Sequence, residues 1–311
     1  MTKQIPQPLK SADLTPNNKH SVTLDKGDIC VAATYAVGEP DIRRNMGDGR
    51  ILVYTRDLKL KGALWTGETG LVIGVEYNPL EQALYASDMT SRTVKRFGRD
   101  GTLLSSHPDE QGQPFSTMAF CKNGSLIIGE HVHGERPPFV ANGDICSFDK
   151  NGKAQACYRV EHDPGKFGFH AVTNLTLSED EAHIYYVSET GKRVMCYDIE
   201  AGKQRSDLFA FGGEDEKFTA GLDRTPDNNL LISHVYGASL FDLDGCVLKT
   251  YDDIPKDRGW AAITVCADGA SFLIGNFFTG RMEKRDLETG ELLGAVETNL
   301  VYKLSEMCEI V

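Results

Sequence analysis

A strand, a charged or glycine-containing turn and a second strand recur six times along the chain, beginning at Arg50, Arg92, Gly143, Lys192, Gly237 and Gly280. The copies read RILVYTRDLKLKGAL, RTVKRFGRDGTLLSS, GDICSFDKNGKAQACY, KRVMCYDIEAGKQRSD, GASLFDLDGCVLKTY and GRMEKRDLETGELLGAV. They stand 42 to 51 residues apart, the interval of one propeller blade. Upstream of each lies another strand pair joined by a short polar turn, from SVTLDKGDICVAAT in the first unit to AITVCADGASFLIGN in the sixth. The apolar runs are short and β-branched, are punctuated by Gly, Asn, Asp and Pro, and show no sustained 3.6-residue period. Six such units closing in a ring bury their faces on one another and leave no long free edge. The pattern predicts an all-β six-bladed β-propeller over 21–311, with four antiparallel strands per blade, A to D outward from the axis. Residues 1–20 then form an N-terminal arm. The segment LVYKLSEMCEIV, 300–311, remains after the sixth unit and is open to a strand beside the first blade or a terminal helix.

Composition narrows the partners. With a formal net charge of -12 the chain repels phosphate backbones and anionic bilayers, so neither nucleic acid nor membrane is expected, and a small-molecule substrate fits better. The N-terminal stretch has no apolar run long enough for a signal-peptide core, which predicts a cytoplasmic protein. The eight cysteines show no CxxC spacing and mostly lie within strand patterns, where reduced thiols serve as small hydrophobes. G-x-S-x-G elbows, P-loops, Rossmann fingerprints and zincin motifs are absent, and no nucleotide cofactor is expected.

The segment from Asn174 to Lys203, NLTLSEDEAHIYYVSETGKRVMCYDIEAGK, resembles the blade pattern of the senescence marker protein/gluconolactonase family and of NHL-repeat propellers. The resemblance extends as a pattern over nearly the whole chain. It implies the six-bladed fold, a divalent metal at the top of the channel and hydrolysis of a lactone. That family's metal is held by an acidic residue in the first blade, an Asn opening one strand A and an Asp opening the next. Here Thr173 aligns with the Asn, Asn174 follows it, and Ala220 aligns with the Asp.

Loop length points to one working face, that of the long B-to-C and D-to-A connections. Strand B closes each time on a small residue followed by a polar one, at Thr34, Asp88, Glu130, Glu189, His234 and Asn276, so symmetry predicts a polar tier near the channel mouth. Each member is equally suited to bonding its own blade's backbone. His131, His133, His170 and His234 fall on the same face beside Glu130, whereas His107 and His162 read as solvated loop residues. A His-x-His pair on an extended strand points both imidazoles one way, which suits a divalent metal held by Glu130, His133, His170 and His234. A metal-free role as general acid or base, for His234, His170, His131 and Glu130, is the other reading. Asn276, Asp88, Glu189, Thr34, Tyr236, Trp260 and Phe169 are expected to contact substrate, and Arg43, with Arg44, to clamp a carboxylate. The expectation is an enzyme acting on a small oxygenated or carboxylated metabolite. A lactonase-like hydrolase leads, a lyase or isomerase follows, and a non-catalytic binding propeller is the rival from another class.

Overall fold

The structure, a computed structural model, describes residues 9–11, 14–16, 22–35, 47–106, 112–132, 140–163, 170–188, 191–211, 219–234 and 236–311. In chain order the first blade contains β1 (Ile29–Tyr35), β2 (Asp48–Tyr54) and β3 (Leu60–Thr69); the second, β4 (Val72–Asn78), β5 (Ala83–Asp88) and β6 (Thr93–Gly98). The third has β7 (Phe115–Phe120), β8 (Leu126–Val132), β9 (Ile145–Phe148) and β10 (Ala154–Tyr158), with β11 (His170–Ala171) beside the end of β8. The fourth has β12 (Asn174–Leu177), β13 (His183–Val187), β14 (Arg193–Asp198) and an outer strand divided into β15 (Lys203–Gln204) and β16 (Phe209–Ala210). The fifth runs through β17 (Thr219–Arg224), β18 (Leu230–His234), β19 (Gly237–Phe241) and β20 (Val247–Thr250). The sixth runs through β21 (Trp260–Val265), β22 (Ser271–Asn276), β23 (Arg281–Asp286) and β24 (Leu292–Glu297), and β25 (Met307–Glu309) ends the chain.

The innermost strands β4, β7, β12, β17 and β21 each touch the next around the axis, and β25 bridges β21 and β4. The ring of six blades is thus closed. In the second blade the outer strand is reduced to a bridge between Phe97 and Leu103. Among the described residues no helix is long and apolar enough to cross a membrane.

One blade is assembled differently from the sequence expectation. The segment around Val22 and Leu24 forms no strand, and Leu24 N donates instead to Arg99 O of the second blade at 2.7 Å. The innermost strand of the first blade is β25, paired with β1 in the register Ile29 to Glu309, Cys30 to Cys308 and Val31 to Met307. The two readings left open for 300–311 resolve as a strand. Ring closure is a pairing between residues far apart in sequence, so local pattern alone does not show it.

Side-chain alternation explains how every blade seals two neighbours. Along β1, Ile29, Val31 and Ala33 pack toward the sixth blade with Leu273 and Met282, whereas Cys30 and Ala32 pack toward the second with Val75 and Phe97. The same division recurs on β13, where Ile184 and Tyr186 face the third blade and Tyr185 and Val187 the fifth. Period-two alternation on a strand buried on both faces produces one apolar cluster per blade interface. The described part of the N-terminal arm joins this core: Leu14 is fully buried, and Arg50 donates to the carbonyls of Ser11 and Leu14 at 3.2 and 3.0 Å.

The cysteine expectation is corrected at one site. Cys146 and Cys157, read as reduced core residues, are directly opposed on β9 and β10 and joined as a disulfide. Cross-strand register brings them together, and their sequence separation gives no hint of it.

Candidate functional site

The polar tier exists in register. Asp88, His234 and Asn276 end the second strands of their blades and Glu130 lies two residues before the end of its own, opposite Val72, Thr219, Trp260 and Phe115 respectively, and a register shift follows each of these partners. Their side chains turn to their own blades. Asp88 Oδ1 accepts the amides of Leu71, Thr90 and Ser91 at 3.0 to 3.2 Å. Asn276 Oδ1 accepts Phe278 N and Thr279 N at 2.9 and 3.1 Å, and its Nδ2 donates to Arg258 O. Glu130 Oε2 accepts Gly143 N and Asp144 N at 2.9 and 3.0 Å. Burial pushes the Glu130 carboxyl above its ordinary range, against the pull of those amides. Thr34 donates to Gly70 O at 3.0 Å, and His234 Nε2 lies 3.3 Å from Ser239 Oγ. The tier therefore secures the strand-to-strand connections on this face. Glu189, His133, Phe169, Arg43 and Arg44 lie outside the described residues.

Inward of the tier, all six blades enclose a cavity of about 180 Å³ at the axis. Of the residues expected from the sequence to act, His131 and Trp260 line it, whereas Thr34, Asp88, Glu130, His170, Tyr236, His234 and Asn276 do not. His131 sits near the end of β8, paired with Ala171 of β11, and is 6% exposed. His170 lies beside it on β11 and packs its ring on His162, centroids 5.3 Å apart, so His162 is a neighbour of this region. Trp260 is fully buried at the start of β21 and donates through Nε1 to Pro255 O at 2.8 Å. Phe277, Phe278, Leu304 and Ile73 supply the larger apolar side chains of the remaining wall.

The floor belongs to a residue that the sequence reading did not single out. Glu306 lies in the segment leading into β25, with its backbone amide donating to Ile73 O and its carbonyl accepting Ala32 N. Its carboxyl accepts Asn174 Nδ2 at 3.1 Å, the Thr117 hydroxyl and the Val75 amide. One side chain from the closing segment thus bonds the second, third and fourth blades. Burial raises its pKa to about 8, with the Glu76 charge adding to the shift and the Thr117 bond opposing it. Glu76 is likewise pushed up to about 8, chiefly by burial, and Asp223 is shifted upward for the same reason. All three are partly buried, and the Glu76 and Asp223 charges both act on Glu306. Near neutral pH a carboxyl with a pKa of about 8 is mostly protonated and serves as a hydrogen-bond donor.

Thr173, Asn174 and Ala220, the positions aligned with the resembling family's metal site, all line this cavity together with Glu306. The fit to a metal is nevertheless poor. Among the described residues no three His, Cys, Asp or Glu side chains are grouped to hold an ion, and Glu130 is committed to backbone amides. The signal for Glu306 was an alternating polar strand, SEMCEIV, following six complete outer hairpins.

No family model matches the chain, and no curated protein matches it in sequence. Solved structures do. A chain of the nidogen/laminin complex superposes with a TM-score of 0.65 at 10% identity, covering 92% of this chain and 99% of that one. Virginiamycin B lyase from Staphylococcus aureus superposes with a TM-score of 0.53 at 12% identity, over 75% of this chain and 71% of that one. The H270A form of that lyase, solved with quinupristin, gives 0.52 at 13% identity over the same shares. At such identities the likeness is one of fold: this chain is a six-bladed β-propeller similar in architecture to both.

Proposed function

We propose that the axial cavity is the working site of an enzyme acting on a small oxygenated or carboxylated metabolite. The observation that carries this reading is that the His131 imidazole and the Glu306 carboxyl line one cavity, the carboxyl raised by burial to a pKa of about 8. An imidazole is the side chain suited to accept a proton near neutrality, and a protonated carboxyl can donate to a developing oxyanion. His131 would activate water or remove a substrate proton, Glu306 would hydrogen-bond the carbonyl oxygen, and Asn174 would hold Glu306 in place. Hydrolysis of a lactone or related ester uses this pair directly. Elimination or isomerisation next to a carbonyl uses the same pair, and the architectural likeness to a virginiamycin B lyase keeps a lyase as the second reading. A protein-docking propeller has less support, because titratable groups concentrated inside a cavity are a catalytic arrangement more than a docking one.

The test is a screen of small lactones and esters by pH-stat, and of elimination substrates by the absorbance of the new double bond. For any active compound, His131→Ala and Glu306→Gln should each lower kcat by about 10²- to 10⁴-fold. Full activity in both variants would remove the cavity from the mechanism.

A further inference from the structure

We infer that this cavity selects a small monocarboxylate with an apolar or aromatic body, and that Arg258 is the residue that reads the charge. The inference rests on the cavity being the functional site and adds the class of ligand. Among the described residues lining the cavity, Arg258 is the single Lys or Arg. Arg43 and Arg44, expected from the sequence to clamp a carboxylate, lie outside the described residues; Arg258 comes from a different loop.

That loop, between β20 and β21, is held from both sides. Asn276 Nδ2 donates to Arg258 O at 3.2 Å, and Phe277 N donates to Gly259 O at 2.8 Å. Gly259 adopts φ +111°, and a Cβ there would lie 2.3 Å from Phe278 Cδ2, so the backbone beside Arg258 runs directly against that ring. The Trp260 indole fixes the loop further back through Pro255 O. Arg258 Cζ lies 5.8 Å from the centroid of Phe278. The fork of in-plane donors on a guanidinium is what matches a carboxylate. A loop held in this way binds with little ordering cost.

The walls set the body of the ligand. Phe277, Phe278 and Tyr302 form an edge-to-face trio with centroids 5.3 to 6.0 Å apart, and Phe277, Phe278 and Trp260 all face the cavity. Its volume of about 180 Å³ is slightly above the ~150 Å³ that suffices for benzene, and below the ~300–1,000 Å³ of pockets for drug-sized molecules. One ring, or an aliphatic body of similar size, fills it. A phosphate monoester would bring a second negative charge to a single guanidinium and is disfavoured.

The experiment compares three carboxylates with their isosteric amides: benzoate with benzamide, phenylacetate with phenylacetamide, and cyclohexanecarboxylate with its amide. Binding to the full chain is followed by saturation-transfer NMR and by intrinsic fluorescence, to which Trp260 contributes. At least one carboxylate should bind tenfold or more tightly than its amide. Arg258→Gln, at an exposed position, should weaken that carboxylate at least tenfold and the amide less than twofold. Ala220→Trp, which narrows the cavity, should weaken both. Equal binding of acid and amide, or a preference unchanged in Arg258→Gln, overturns the inference and leaves the cavity standing. Binding of none of the six compounds removes the cavity reading and the inference with it.

Discussion

Glu306, on the segment that closes the ring, is bonded through its carboxyl to three blades. Glu306 and Glu76 both hold a proton in the folded state to a pKa of about 8, against an ordinary value of 4.5. Between those values the folded chain binds more protons than the unfolded chain, so stability falls as pH rises through the window. The contribution is complete below about pH 4.5 and lost above about 8. The wild-type thermal midpoint should therefore decline from pH 5 to pH 8.5. Glu76→Gln keeps an oxygen for the Tyr77 amide, which Glu76 Oε1 accepts at 3.0 Å, and removes the like charge from Glu306. Its midpoint should decline less steeply over the same range. Melting curves in the two proteins that shift in parallel would show that Glu76 does not carry the dependence. None of this was legible at the residue scale, because the three carboxyls come from sequence positions 76, 223 and 306 and meet only through the ring. Asn174 was reached only through the family resemblance, whereas His131 and Trp260 were legible from loop position and residue type.

Strand ends show how a repeat becomes a set of interlocked blades. The small residue preceding each tier position serves as a clasp in two of them. Ser87 Oγ accepts Gly74 N at 2.9 Å and donates to Ser116 O of the next blade at 2.6 Å. Ser233 Oγ accepts Gly221 N at 2.8 Å and donates to Ala261 O of the next blade at 3.3 Å. Glycine is required opposite each serine, since a Cβ on Gly74 would fall 2.0 Å from Ser116 O and one on Gly221 2.8 Å from Ala261 O. Ser87→Ala and Ser233→Ala should each cost about 1–3 kcal/mol, because each strands a backbone amide and a carbonyl. The two clasps serve the second and fifth blades and share no partner, so the double variant should show the sum within roughly 0.5 kcal/mol in urea titrations. A cost below a few tenths of a kcal/mol in both single variants would mean that other groups satisfy those amides. Gly74→Ala should cost more than either, since the obstacle is backbone. At this scale the sequence was most informative: the small-then-polar pair was visible in all six units, and the described members of the tier lie where symmetry put them. The direction of its side chains was not visible, because whether a polar group at a strand end faces the axis or its own turn depends on the register shift beside it.

The closed ring depends on seven residues. The segment 305–311 supplies the inner strand of the first blade, the hub carboxyl of Glu306 and the packing of Cys308 and Ile310 against Cys30 and Val75. Ending the chain at Leu304 uncovers Ile29 and Val31 at the axis and should abolish cooperative unfolding, in place of leaving a stable five-and-a-half-blade ring. The same seam offers a way to measure what closure contributes without deletion. Cys30 and Cys308 face each other in register, both are buried, and the Cys308 thiol is hydrogen-bonded to Cys30. Directly opposed strand residues lie ~4.5–5.5 Å apart at Cα, within the span a disulfide bridges. Because both thiols are sealed in the folded protein, the bond should form on refolding with oxidised glutathione, which takes up the two electrons and leaves as two glutathione thiols. Peptide mapping should then show a Cys30–Cys308 link, absent from Cys30→Ser. Tying the two ends of the ring removes loop entropy worth up to about 5 kcal/mol from the unfolded chain, and the thermal midpoint should rise by up to roughly 10 °C over the Cys30→Ser protein treated alike. A mapped link with no rise in midpoint would mean that a cost of the bond in the folded seam offsets the entropy it removes from the unfolded chain. A rise would show that the folded seam accommodates the bond in the register that pairs Cys30 with Cys308.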